Sequence, residues 1–147
     1  MSGVYEDRGI RFQFPENWSL DEEDGLDGSV TVHVTSPSGA FWSIAIHRPE
    51  QDPEKLVTAA VEAMRAEYQE LDAEAAEERI ADEKLTGYDL NFICLDLTNT
   101  ALVRGFQSKQ NTYLVFCQAE DREYERLKLV FRAITTSLFL TAGAGVK

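Results

Sequence analysis

The apolar residues of this chain change their spacing from two, to three and four, back to two, and again to three and four. That order constrains the fold more than any single motif. Ile10, Phe12 and Phe14 alternate with Arg11 and Gln13, which reads as a strand, the second of the chain. Pro15 removes a ladder donor, and "PENWS" reads as a turn whose polar side chains bond their own backbone. The acidic stretch "DEEDGLDGS" reads as a loop. Val30, Val32 and Val34 then share one strand face, as do Trp42, Ile44 and Ile46 of the next, and "PSG" between them predicts a hairpin. Leu56, Val57, Ala60, Val61, Met64, Tyr68 and Leu71 form a helical stripe. Asp52 is the expected N-cap and Pro53 belongs to the first turn of a helix of about five turns.

Beyond Leu71 the stripe fades. "DAEAAEERIADEKLTG" reads as a loop leading into a strand near 77–85, with a short helix over 72–79 as the alternative. From Thr86 the period is two again. Tyr88, Leu90, Phe92 and Cys94 face one way and Ile93 and Leu95 the other, as in a central strand. "TNT" and "KQN" read as turns of a three-stranded meander with "ALVRGFQS" and "TYLVFCQA". A closing helix capped by Asp121 would bury Tyr124, Leu127, Val130, Phe131, Ile134 and Leu138. The expectation is one α+β domain over 1–140 with a flexible tail over 141–147. Its antiparallel sheet of about six or seven strands would carry a helix on each face, an α/β/α sandwich. A chain of 147 residues that is 44% hydrophobic can support such a core without metal or disulfide staples.

The formal net charge of −12 disfavours nucleic acid and anionic membranes and suits a basic protein partner or a cationic ligand. Cys94 and Cys117 lie in apolar strand runs and read as buried free thiols. "MSGVYEDRGI" lacks the basic and apolar regions of a signal peptide, and no apolar run reaches membrane-spanning length, so the cytoplasm is the expected compartment.

No stretch carries a catalytic or cofactor motif. His33 and His47 lie outside any metal-ligand spacing. The acidic loop fits no calcium-loop register, because Gly25 or Gly28 at the sixth position puts Thr31 or Val34 where a bidentate glutamate belongs, at the twelfth. Ser36, Ser38 and Ser43 have histidines near in sequence but no nucleophile elbow, and "GAGVK" has no strand–helix context for a phosphate loop. No cofactor and no metal are expected. A polar cluster at a strand end, Asp96, Thr98, Asn99 and Thr100, precedes Arg104, which could pair with Asp96 across a turn.

"GIRFQFPENWSL", the hairpin, the proline-led helix and the late meander and helix together resemble the PsbP-like superfamily. That group includes the extrinsic photosystem II subunit PsbP, a eukaryotic factor that binds the Ran GTPase, and bacterial domains. Phe14, Pro15 and Trp18 match its front signature, and Tyr113, Phe116 and Phe131 its rear. The resemblance implies an α/β/α sandwich and transfers no site; the expected absence of a signal sequence departs from the lumenal members. The leading expectation is a non-enzymatic protein-binding or assembly module with a basic or amphipathic partner. The alternatives are a small-ligand binder or unrecognised enzyme with a pocket between helix and sheet, and a homodimer through a sheet edge. Candidate interaction or pocket residues are Trp18, Trp42, Tyr88, Asp96, Asn99, Arg104 and Tyr113.

Overall fold

A computed structural model describes residues 3–140, so the expected tail at 141–147 lies outside the described residues. Strands β1 (Gly3–Asp7) and β2 (Ile10–Phe14) form a small hairpin. Seven further strands form one antiparallel sheet: β3 (Ser19–Asp24), β4 (Val30–Thr35), β5 (Phe41–His47), β6 (Asp72–Ile80), β7 (Glu83–Cys94), β8 (Leu97–Gln107) and β9 (Thr112–Glu120). Their order across the sheet is β3-β4-β5-β9-β8-β7-β6. Helix α1 (Pro53–Glu67) covers one face and α2 (Asp121–Leu140) the other. The sandwich expected from the pattern is therefore the observed architecture.

The alternation of the strands divides the core in two. Trp42, Ile44, Tyr113, Val115, Cys117 and Phe106 point to the α2 side, where β2 adds Phe12 and Phe14. Leu90, Phe92, Ala101 and Val103 point to α1 and meet Val57 and Val61. Gly105 lies beneath the start of α1. A Cβ there would stand 2.9 Å from Val57 Cγ2 and 3.0 Å from the Pro53 carbonyl oxygen, so the bare backbone lets the helix sit close.

Two buried hydroxyls of α2 join that helix to strands. The Trp42 indole Nε1–H donates to Thr135 Oγ1 at 2.9 Å. The Gln13 backbone N–H donates to Ser137 Oγ at 2.8 Å. Trp18 completes the β2 corner: it is 7% exposed and meets Phe131 edge-on at 6.0 Å. The turn after Pro15 closes with the Trp18 N–H donating to the Pro15 carbonyl at 3.0 Å. "RFQFPENWSL" is thus a structural corner packed against the closing helix.

Several expectations need correction. The strand expected near 77–85 is in fact two: edge strand β6 begins already at Asp72, where a loop or short helix was expected, and ends at Ile80, joined to β7 by Ala81–Asp82, both at positive φ (51° and 68°), as a two-residue hairpin turn requires. Residues 19–24, expected partly in an acidic loop, form edge strand β3; only the stretch after Asp24 is loop. "TNT" is not a turn but the start of β8; the chain reverses at Leu95–Asp96, again with positive φ (53° and 65°). Helix α1 stops at Glu67, with Tyr68 as its C-cap and Leu71 buried beyond it. The carboxylate that caps α2 is Glu120, which accepts from the N–H groups of Arg122 (2.7 Å) and Glu123 (3.1 Å), rather than Asp121.

Trp18→Ala should lower the unfolding free energy by about 3–5 kcal/mol in a chemical denaturation experiment, because the ring is buried against Phe131. A variant as stable as the parent would show that the corner carries no packing energy.

Candidate functional sites

The residues singled out in the sequence do not converge. Trp18, Trp42 and Tyr113 are buried core side chains on the α2 side. Tyr88 lines a shallow groove between α1 and the β6–β7 edge with Glu54, Val57 and Gly87. Asp96 is exposed at the tip of the β7–β8 hairpin, and Asn99 is buried next to that tip, donating its Nδ2–H to the Leu97 carbonyl at 3.0 Å. Arg104 lies elsewhere, and Asp96 is not its partner.

Arg104 belongs to a cavity between α2 and the sheet. Its side chain, 8% exposed, donates from Nε to Glu78 Oε1 and from Nη2 to Asp89 Oδ1, both at 2.7 Å. Its Nη1 donates to the carbonyls of Tyr88 and Val103, both at 3.1 Å. The second oxygen of Glu78 accepts from Arg132 Nη1 of α2 at 2.7 Å. This chain of ion pairs links β6, β7, β8 and α2. Burial disfavours the charged guanidinium, but the two carboxylates more than compensate and hold Arg104 above its ordinary proton affinity. A cavity of about 280 Å³ opens beside it, floored by Leu102, Val115, Cys117 and Phe131. Burial also pushes the Cys117 thiol up to about 12, so it stays protonated and packs as an apolar group. A pocket between helix and sheet was expected with Trp18, Trp42, Tyr88 or Tyr113 in its walls; the aromatic groups that line it are Tyr124 and Phe131.

The second feature is the β7–β8 tip. Ile93, Leu95 and Leu97 are 55%, 90% and 44% exposed on three alternate residues. Leu95 also occupies the left-handed region, where a side-chain-bearing aliphatic residue is disfavoured and Asn or Gly is the usual choice. Its flank is a groove of about 190 Å³ shared with the β4–β5 turn and the start of α2, where Glu120 and Glu123 stand. Asp96 and Asp121 lie at the same end of the sheet. Arg122 and Arg126 pair with Glu120 and Glu123, and carboxylates outnumber these two cations.

The histidines and cysteines are dispersed. His33, within β4, bonds Glu23 at 3.2 Å, and His47, at the end of β5, approaches Asp27 at 3.9 Å. Cys94 belongs to the α1 side and Cys117 to the α2 side, so the two thiols do not meet. Ser43 donates to the Phe116 carbonyl at 3.1 Å, and Ser36 bonds Ser38 at 2.9 Å. No cluster of three metal-binding side chains occurs among the described residues. No helix there is long and apolar enough to cross a membrane.

The whole arrangement is a PsbP-like fold. The solution structure of cyanobacterial PsbP from Synechocystis sp. PCC 6803 superposes with a TM-score of 0.64 at 13% identity, over 92% of this chain and 89% of that one. A crystal structure from Bacteroides thetaiotaomicron gives 0.61 at 10% identity, over 93% of this chain and 48% of that one. A protein of unknown function from Pseudomonas aeruginosa gives 0.51 at 9% identity, over 92% and 94%. At these identities the likeness is one of fold. No family model matches the sequence, and no curated protein matches it.

Arg104→Leu should cost about 1–3 kcal/mol, because it strips Glu78 and Asp89 of their shared cation while water reaches both. Unchanged stability in urea would mean that the ion-pair chain is energetically idle. In native protein, iodoacetamide should modify the partly exposed Cys94 and spare Cys117 until denaturant is added. Peptide mass mapping reads both sites, and equal labelling would contradict the closed wall at Cys117. Burial also lowers the proton affinity of His47, only partly offset by Asp27. The unfolded chain therefore binds a proton more readily than the folded one. Stability should be full above the ordinary histidine pKa of about 6.5 and should fall as pH drops below it. His47→Gln should flatten that part of the stability profile.

Proposed function

We propose that this protein is a non-enzymatic binding module that docks a basic, amphipathic protein segment at the tip of the β7–β8 hairpin, in the cytoplasm. The observation that carries the proposal is Leu95, an aliphatic side chain left 90% exposed in a backbone conformation that disfavours it. Neither packing nor turn chemistry calls for leucine there. A partner that buries it supplies the missing reason. Ile93 and Leu97 extend the apolar contact, and the carboxylates around it complement a basic rim on the partner.

Self-association through a sheet edge is the weaker alternative. Edge strand β3 carries Asp21, Glu22, Glu23 and Asp24, and pairing two copies there would oppose like charges. Light scattering across a concentration range separates the two readings, because docking of a partner leaves the free protein monomeric.

The direct test compares wild-type protein with Leu95→Glu as bait at low and high salt. The substitution is at a solvent-exposed turn and should leave thermal stability within about 0.5 kcal/mol. Wild-type bait should retain a stoichiometric protein at low salt, less of it at high salt, and Leu95→Glu should retain none. Equal recovery by both baits, or no stoichiometric partner in either salt, would overturn the proposal.

A further inference from the structure

We propose that the cavity under α2 is a binding site for a small amphipathic carboxylate, with its hydrocarbon part against the sheet and its anionic head at Arg132 and Lys128. The inference comes from which hydrogen-bonding capacity at the cavity is already used. Arg104 spends Nε, Nη1 and Nη2 on two carboxylates and two carbonyls. Glu78 accepts through both oxygens, from Arg104 and from Arg132. The acids of the wall are therefore largely neutralised. The capacity left at the mouth is donor capacity on half-exposed cations. Arg132 has one N–H donating to Glu78, and its side chain is 51% exposed. Lys128, one turn earlier on the same helix face, is paired only with Glu125, whose side chain is 70% exposed. Three cations against two carboxylates line this one cavity of a protein whose overall charge is −12. An acceptor-only, negatively charged head matches the donor capacity that Arg132 and Lys128 retain beside their carboxylate partners.

The floor selects the other half of the ligand. Leu102, Val115 and Cys117 on the sheet and Phe131 on α2 present carbon and a neutral thiol, with no charged atom, next to Arg104, whose cross-strand neighbour is Val115. Leu129, 75% exposed on α2, stands at the cavity's lip as a further apolar contact. A volume of about 280 Å³ equals that of about nine liquid waters at ~30 Å³ each, which suits a chain of about eight carbons with one carboxylate. The site is independent of the β7–β8 tip, so either can fail without the other.

Octanoate is the probe, with octylamine and octanol as head-group controls, titrated by calorimetry and by chemical shifts of the full chain. One saturable site with Kd of about 0.1–1 mM is expected for octanoate, with shifts at Leu102, Val115 and Phe131. Octylamine should bind at least about tenfold more weakly, and the double variant Lys128→Gln/Arg132→Gln should weaken octanoate by at least about tenfold. Both substitutions are at half-exposed surface positions. The separate variant Val115→Phe fills the floor and should abolish the octanoate-induced shifts there, whereas the resonances of the tip residues should match those of the wild type with or without octanoate. No binding of octanoate, equal binding of octylamine, or full affinity in the double variant with an intact fold would each overturn the assignment.

Discussion

The seat of α2 on the sheet rests on one buried indole. Trp42 is completely buried near the start of β5 and directs its Nε1–H into the helix layer, where Thr135 Oγ1 receives it. A donor of that kind must be paired when water is excluded, so the bond fixes which turn of α2 lies above β5. Thr135 in turn donates to the Phe131 carbonyl within its own helix. Ser137, two residues on, holds the backbone of β2. The rotation of α2 set by these contacts brings Phe131 against Trp18 and directs Arg132 to Glu78. Corner, cavity and ion-pair chain share this one orientation.

The same orientation places the first turn of α2 beside the hairpin tip. Glu120 ends β9 and caps the helix, and Glu123 follows one turn later at the flank of the groove next to Leu95 and Leu97. Strand β9 therefore serves both candidate sites. Its inward residues Val115 and Cys117 floor the cavity, and its last residue contributes charge at the tip. The arrangement follows from a helix that begins where its neighbouring strand stops, with no loop between them.

Much of this was legible in the sequence because the pattern is strong where burial is one-sided. The Val30–Val34 and Trp42–Ile46 alternations, and the stripe through Phe131, Ile134 and Leu138, report directly on the core. Strand β6 was legible only at its end, within the strand expected near 77–85, and Glu78 is a large part of the reason. An inward position that should carry an apolar residue carries a carboxylate whose partner, Arg104, lies on another strand; period-two reasoning cannot see that pairing. The β7–β8 turn was misplaced because Leu95 and Asp96 resemble strand continuation, whereas "TNT" has the composition of a turn. Of the residues singled out in the sequence, Arg104 lines the cavity under α2 and Tyr88 the groove beside α1. The other aromatic residues chosen for a pocket, Trp18, Trp42 and Tyr113, are fully used in packing; the charged wall of the cavity is assembled from β6, β7, β8 and α2, which are far apart in sequence.

A double-mutant cycle on Trp42→Phe and Thr135→Val, read by equilibrium unfolding, tests most directly whether the indole seats the helix. Each single change removes one partner of the bond and perturbs packing in its own way, and the cycle cancels the latter. A favourable coupling of about 0.5–1.5 kcal/mol is expected if the buried bond between Nε1 and Oγ1 holds α2 in place. Strictly additive effects would contradict it and would leave apolar contact alone to orient the helix.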